Sequence, residues 1–132
     1  MKEFNKTLIL TPVYEDNEAC TMLLLELNNI FNTQLHVIIV DDGSLKTPVA
    51  SKIFKNTTLD GTIIKLVKNV GHQSAIGIGL CYINDNIHNY EKLVIMDSDG
   101  EDSPKGTKQL IENLENYDVD VVLAQRKNRK DN

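Results

Sequence analysis

Cysteine is scarce in this chain, and the two that occur have no metal-binding spacing. Cys20 and Cys81 lie far apart, outside any CxxC pattern, so a thiolate zinc site is disfavoured. Both fall in apolar stretches with helical spacing, so buried free thiols in a reducing, cytoplasmic setting are expected. Positive charge is in deficit as well, with a formal net charge of −5. A duplex nucleic-acid binder needs a basic face, so that class is disfavoured. Phosphate ligands would need a metal ion or a local Arg or Lys to hold them. Long apolar runs are also missing. Thr7 to Val13 is interrupted by Pro12 and is too short for a signal peptide, and no run reaches membrane-spanning length. The phosphate-cradling pattern GxxxxGK does not occur, which disfavours an NTPase of that type. Repeats, linkers and low-complexity segments are likewise lacking.

What is present is an ordinary globular composition. The 132 residues, 41% hydrophobic and 25% charged, suit one domain with one core. That domain is expected over residues 1–126, followed by a basic polar tail at 127–132.

Strand and helix patterns alternate along it. Thr7-Leu8-Ile9-Leu10 is a β-favouring run. Asp16 and Asn17 are good helix N-caps, and Cys20, Leu23, Leu24, Leu27 and Phe31 then mark one helical face. Leu35 to Val40 is continuous and apolar, as in a strand buried on both faces. Thr47-Pro48 predicts a short helix running through Phe54. Thr62 to Val67 predicts a third strand. Ile76, Leu80, Ile83 and Ile87 repeat at helical spacing. Leu93 to Met96 predicts a fourth strand. Ser103-Pro104 opens a helix with Leu110, Ile111 and Leu114 inward, and Val119 to Leu123 predicts a fifth strand. Such alternation implies an α/β fold: an open, mostly parallel sheet with helices on both faces, Rossmann-like. Ligands of such sheets bind at the carboxyl ends of the strands.

Three polar clusters follow strands and should meet at that edge. Asp97-Ser98-Asp99-Gly100-Glu101-Asp102 puts four carboxylates in six residues. Such crowding repels itself unless a cation neutralises it, and hard oxygen ligands at alternate positions suit Mg²⁺ or Mn²⁺. A solvated acidic turn is the simpler alternative. An EF-hand is excluded, since Asp102 and Lys108 stand where that loop needs Gly and Glu. Asp41-Asp42 follows the second strand, where one carboxylate can cap a turn and the other accept from a ligand N–H. An Asx-turn with Ser44 is the alternative there. Gly71 permits close backbone approach, and His72 reads as a turn residue, while His36 and His88 look incidental. Gly77 and Gly79 inside a helix cost about 1 kcal/mol each relative to Ala, and close helix–sheet packing is the simplest reason for them.

These residues together resemble family 2 glycosyltransferases, which have the GT-A fold. The resemblance rests on Leu10-Thr11-Pro12-Val13-Tyr14, Val40-Asp41-Asp42-Gly43-Ser44, Asn69-Val70-Gly71-His72-Gln73-Ser74-Ala75, and Asp97 through Pro104. The last loop looks most like that of polyprenyl-phosphate sugar transferases such as dolichol-phosphate mannose synthase. The resemblance implies a metal-dependent inverting transferase that takes a sugar from a UDP- or GDP-linked donor, with Mg²⁺ or Mn²⁺ as cofactor. The acceptor would be a polyprenyl phosphate or a glycan. A full-length protein would then work at the cytoplasmic face of the membrane. It implies that Pro12 and Tyr14 line the nucleoside pocket and that Asp42, with Asp41, bonds the base. Gly71 would shape the base-side loop and Arg126 would approach the donor phosphates. Asp97 would contact ribose or metal-bound water, or the metal itself, while Asp99 and Glu101 ligate the metal.

Three departures stand out. Glu15-Asp16 replaces the family's usual Asn-Glu, leaving Asp16 where the longer acid is expected. No aspartate matches the family's general base, and the antiparallel strand that the family inserts between the fourth and fifth strands has no counterpart. An unsatisfied sheet edge or a rearranged fifth strand is therefore expected. Two alternatives share these motifs: a nucleotide-sugar binding module without chemistry, and a phosphatase of the haloacid dehalogenase type, whose loop also reads DxDG.

Overall fold

A computed structural model describes residues 7–31 and 35–125. Its elements are β1 (Thr7–Val13), α1 (Asn17–Phe31), β2 (Leu35–Asp41), a 3₁₀ turn (Ser51–Phe54), β3 (Asp60–Lys65), α2 (His72–Asn86), β4 (Lys92–Ile95) and α3 (Pro104–Asn116). The four strands form one parallel sheet in the order β3-β2-β1-β4. The chain winds outward from β1 to β3, then crosses back to place β4 on the other side of β1. The sheet therefore has its switch point between β1 and β4.

Alternation along the strands builds a core on each face. Ile9, Val13, Val37 and Ile39 meet Cys20, Leu23, Leu24 and Leu27 of α1 on one face. Leu8, Leu10, Ile38 and Val40 meet Ala75 and Ile83 of α2 on the other. α3 lies on the α1 side, with Thr107 Oγ1 against Met96 Sδ at 3.8 Å. Fully buried leucines of this kind contribute about 1.5–3 kcal/mol each.

The helix glycines differ from one another. A Cβ on Gly79 would lie 2.4 Å from Leu10 Cδ1 and 3.1 Å from Val40 Cγ2, so helix–sheet packing explains this glycine. A Cβ on Gly77 meets nothing within 4 Å, so packing does not explain that one. Gly79→Ala is therefore expected to destabilise by about 1–3 kcal/mol through overpacking. Gly77→Ala is expected to stabilise by up to about 1 kcal/mol through helix propensity alone. Urea unfolding of both variants checks the opposite signs.

Several expectations are corrected. Residues 119–123 form no strand. Val119, Val121 and Leu123 are exposed, and the segment stands off β4 across a cavity of about 250 Å³, lined in part by Leu93, Ile95, Leu110, Leu114, Val121 and Leu123. Strand composition alone does not make a strand, because pairing needs an edge within hydrogen-bonding reach. Leu110, Ile111 and Leu114 are accordingly half-buried beside that cavity. The helix expected from Pro48 is only the 3₁₀ turn at Ser51–Phe54. β3 begins two residues earlier than expected and includes Gly61, whose bare face carries the Phe54 ring. Cys20 is buried, with burial pushing its thiol up to about 12, helped by Asp16 and Asp41, but Cys81 is exposed. Arg126 and the tail at 127–132 lie outside the described residues.

Candidate functional site

The loops after all four strands gather at the carboxyl edge, and carboxylates tie them to one another. Asp41 is buried, and its two oxygens accept from Ser44 N at 3.1 Å and Val49 N at 2.9 Å. It shapes the loop after β2. Asp42, only 3% exposed, reaches the loop after β3. Its Oδ1 accepts from Val70 N at 2.7 Å, and its Oδ2 accepts from Gly71 N at 3.1 Å and Asn69 Nδ2 at 3.1 Å. Gly43, at φ +76, lets this turn come so close to Lys68–Asn69 that a Cβ would lie 2.4 Å from Asn69 N. Both aspartates are thus engaged by the protein, Asp41 bonding within its own loop, to Ser44 N three residues on rather than in an Asx-turn.

Glu15 binds the first loop to the second. Its φ of +50 is unfavourable for a residue with a Cβ. Compensation comes from Ser44 Oγ, which accepts from Glu15 N at 2.8 Å, and from Lys46 N and Thr47 N, which donate to its carboxylate at 3.0 and 3.1 Å. Asp16, by contrast, caps α1, accepting from Ala19 N at 3.2 Å. Sequence reasoning gave the first loop's acid to Asp16 and missed Glu15. The clue was its place directly after Tyr14, one position ahead of the acid the resemblance implies. Tyr14 itself is 54% exposed at the open edge, while Pro12 is buried at the end of β1. Gly71, at φ +98, turns the chain into α2 with open space where a Cβ would stand.

The acidic loop follows β4, across the switch point from β1. Ser98, buried, donates from Oγ to the Pro12 carbonyl at 3.2 Å and joins the two loops. Asp97 N donates to Asp102 Oδ2 at 2.8 Å, and Glu101 N to Asp99 Oδ1 at 3.0 Å. Gly100, at φ +91, supplies the reversal. Ser103 then caps α3 by accepting from Gly106 N at 3.0 Å. Asp102 is thereby a loop-closing residue.

One carboxylate oxygen each from Asp97, Asp99 and Glu101 can be chosen so that all three lie within 4.8 Å of one another. This all-oxygen, anionic donor set fits a hard divalent cation. Burial raises the Asp97 carboxyl above its usual range; His72 opposes this, and the neighbouring acids at 102, 99 and 101 add to it. A cation among these groups would relieve that repulsion. His72 Nε2 lies 3.0 Å from Asp97 Oδ1, a contact that sequence reasoning missed. His36 is a strand residue bonded to Thr62 Oγ1 at 2.9 Å, near the amino ends of β2 and β3.

An open parallel sheet with its polar loops gathered beside the switch point is a Rossmann-like arrangement, one the GT-A fold shares. A model of the glycosyl transferase family 2 domain matches residues 8–132, and the chain belongs to that family. It is similar to a dodecaprenyl-phosphate galacturonate synthase of Rhizobium johnstonii, with 30% identity over 97 residues, 72% of this chain and 27% of that protein. Its fold matches that of TarS from S. aureus, residues 1–349, with TM-score 0.57 and 23% identity over 82% of this chain and 32% of the other. The chain thus spans about a quarter to a third of the length of these proteins. Family membership sets aside the phosphatase alternative. Among the described residues, no helix is long and apolar enough to cross a membrane.

Proposed function

We propose that this chain forms the donor-binding part of a metal-dependent inverting glycosyltransferase. The observation that carries the reading is the Asp97, Asp99 and Glu101 oxygen group, set at the switch point where such sheets take their ligands. A bound Mg²⁺ or Mn²⁺ would supply Lewis-acid stabilisation to the departing diphosphate. Tyr14 offers an exposed ring to the nucleoside, beside the buried Pro12. Asp42 acts on the base chiefly through the 69–71 loop it holds, since its three hydrogen bonds leave about one of a carboxylate's four acceptor positions. Asp41 acts through the loop it shapes, Asp16 through the start of α1, and Gly71 through the open space beside its backbone. Arg126 is assigned to the donor phosphates. The donor is a UDP- or GDP-linked sugar. The likeness to a dodecaprenyl-phosphate sugar synthase supports a polyprenyl phosphate as acceptor.

Titration calorimetry with UDP, GDP and their sugars, each with Mn²⁺ or with EDTA, tests the reading. One nucleotide is expected to bind with metal and to lose nearly all affinity in EDTA. Equal binding in EDTA would overturn the metal assignment. Donor binding rather than rapid turnover is the expected behaviour of these residues, because none matches the family's general base.

A further inference from the structure

We infer that His72 is a positioning residue of the acidic loop, holding the Asp97 carboxylate in the orientation that lets it join Asp99 and Glu101. The inference deepens the donor-site reading and rests on it.

The ring reaches Asp97 from a braced element. Gly71 N and Val70 N are held by the buried Asp42 carboxylate, and His72 is the first residue of α2. The start of the helix therefore has a fixed place relative to β2. From there His72 Nε2 lies 3.0 Å from Asp97 Oδ1. The backbone of Asp97 is fixed separately, through its N–H to Asp102 Oδ2 at 2.8 Å. Main chain and side chain of one residue are thus held by two different partners. Asp97 needs such restraint. It is surrounded by the carboxylates of Asp99, Glu101 and Asp102, and without an N–H donor its side chain would swing away from them. Accepting at Oδ1 leaves Oδ2 available to a cation. Hydrogen-bonded outer partners of ligating carboxylates commonly set metal affinity in this way. His72 thereby also links the loop after β3 to the loop after β4.

The test uses Mn²⁺ alone, with free Mn²⁺ read by electron paramagnetic resonance, on the 132-residue chain. His72→Ala is expected to bind Mn²⁺ about 10–100-fold more weakly, the usual effect of losing such a partner. His72→Gln, which can place an N–H near the Nε2 position, is expected to stay within a few-fold of the parent. The thermal midpoints should be close, because the His72 side chain is 55% exposed. Unchanged Mn²⁺ affinity in His72→Ala, alongside its loss in Asp99→Ala, would overturn the role of His72 and leave the donor site standing. A glutamine variant as weak as the alanine variant would likewise overturn positioning by N–H donation. Equally absent Mn²⁺ binding in the parent and in Asp99→Ala would overturn the metal assignment of the donor site, and this inference with it.

Discussion

Asp42→Ala is expected to destabilise the protein by roughly 3–5 kcal/mol. The buried carboxylate accepts from Asn69 Nδ2, Val70 N and Gly71 N at 2.7 to 3.1 Å. Hydrogen bonds to a charged group contribute about 1.5–3 kcal/mol each, and partial access of these donors to water reduces their sum. A typical domain has about 5–15 kcal/mol in total, so this single change removes a large share. Urea unfolding should show a lower midpoint with an unchanged slope. Asp42→Asn should be milder, at about 1–3 kcal/mol, because its carbonyl oxygen still accepts while its amide faces a donor. A midpoint for Asp42→Ala equal to that of the parent would show that the loop after β3 holds its shape without this carboxylate.

Asp99→Ala should behave in the opposite way. Asp99 is exposed, and its one described hydrogen bond is from Glu101 N at 3.0 Å. Stability should change by less than about 0.5 kcal/mol, as for ordinary surface substitutions. Metal-dependent nucleotide binding, however, should fall by more than about a hundredfold, beyond the 10–100-fold typical of losing an outer partner. Calorimetry with Mn²⁺ reads the affinity, and a melting curve on the same sample reads the fold. Nucleotide affinity retained within a few-fold would remove Asp99 from the metal site. The pair of variants is expected to separate two duties of carboxylates at this edge, Asp42 holding the loops and Asp99 serving the proposed metal site.

Much of the framework was legible because it depends on local periodicity. Cys20, Leu23, Leu24 and Leu27 announced the inner face of α1, and the unbroken run into Val40 announced a strand covered on both sides. The strand-end clusters could be placed on one edge because parallel topology leaves no other arrangement. Distinguishing the carboxylates was beyond the sequence. Asp41 and Asp42 are adjacent and identical, yet one folds its own loop while the other holds backbone 28 positions away. Non-local pairing of this kind leaves no periodic trace. The same limit explains Glu15, whose partners at Lys46 and Thr47 are 31 and 32 positions off. β3 was misplaced because a strand glycine looks unfavourable until the Phe54 ring covers it. Val119 to Leu123 has the composition of a strand, but its expected neighbour is a matter of tertiary context.

The Ser98–Pro12 bond joins residues 86 positions apart, in the loop that carries Asp97, Asp99 and Glu101. Such a contact can close only after β4 has crossed the growing sheet to reach β1. Before that, Tyr14 and the acidic loop belong to separate parts of an incomplete chain. High contact order of this sort delays assembly. If the proposed donor binds across this seam, forms in which the first and fourth strands remain apart should not bind it. A donor that binds across this seam would draw the population toward full closure by mass action. Such a donor would act as a late clasp on the architecture, closing only on a finished sheet.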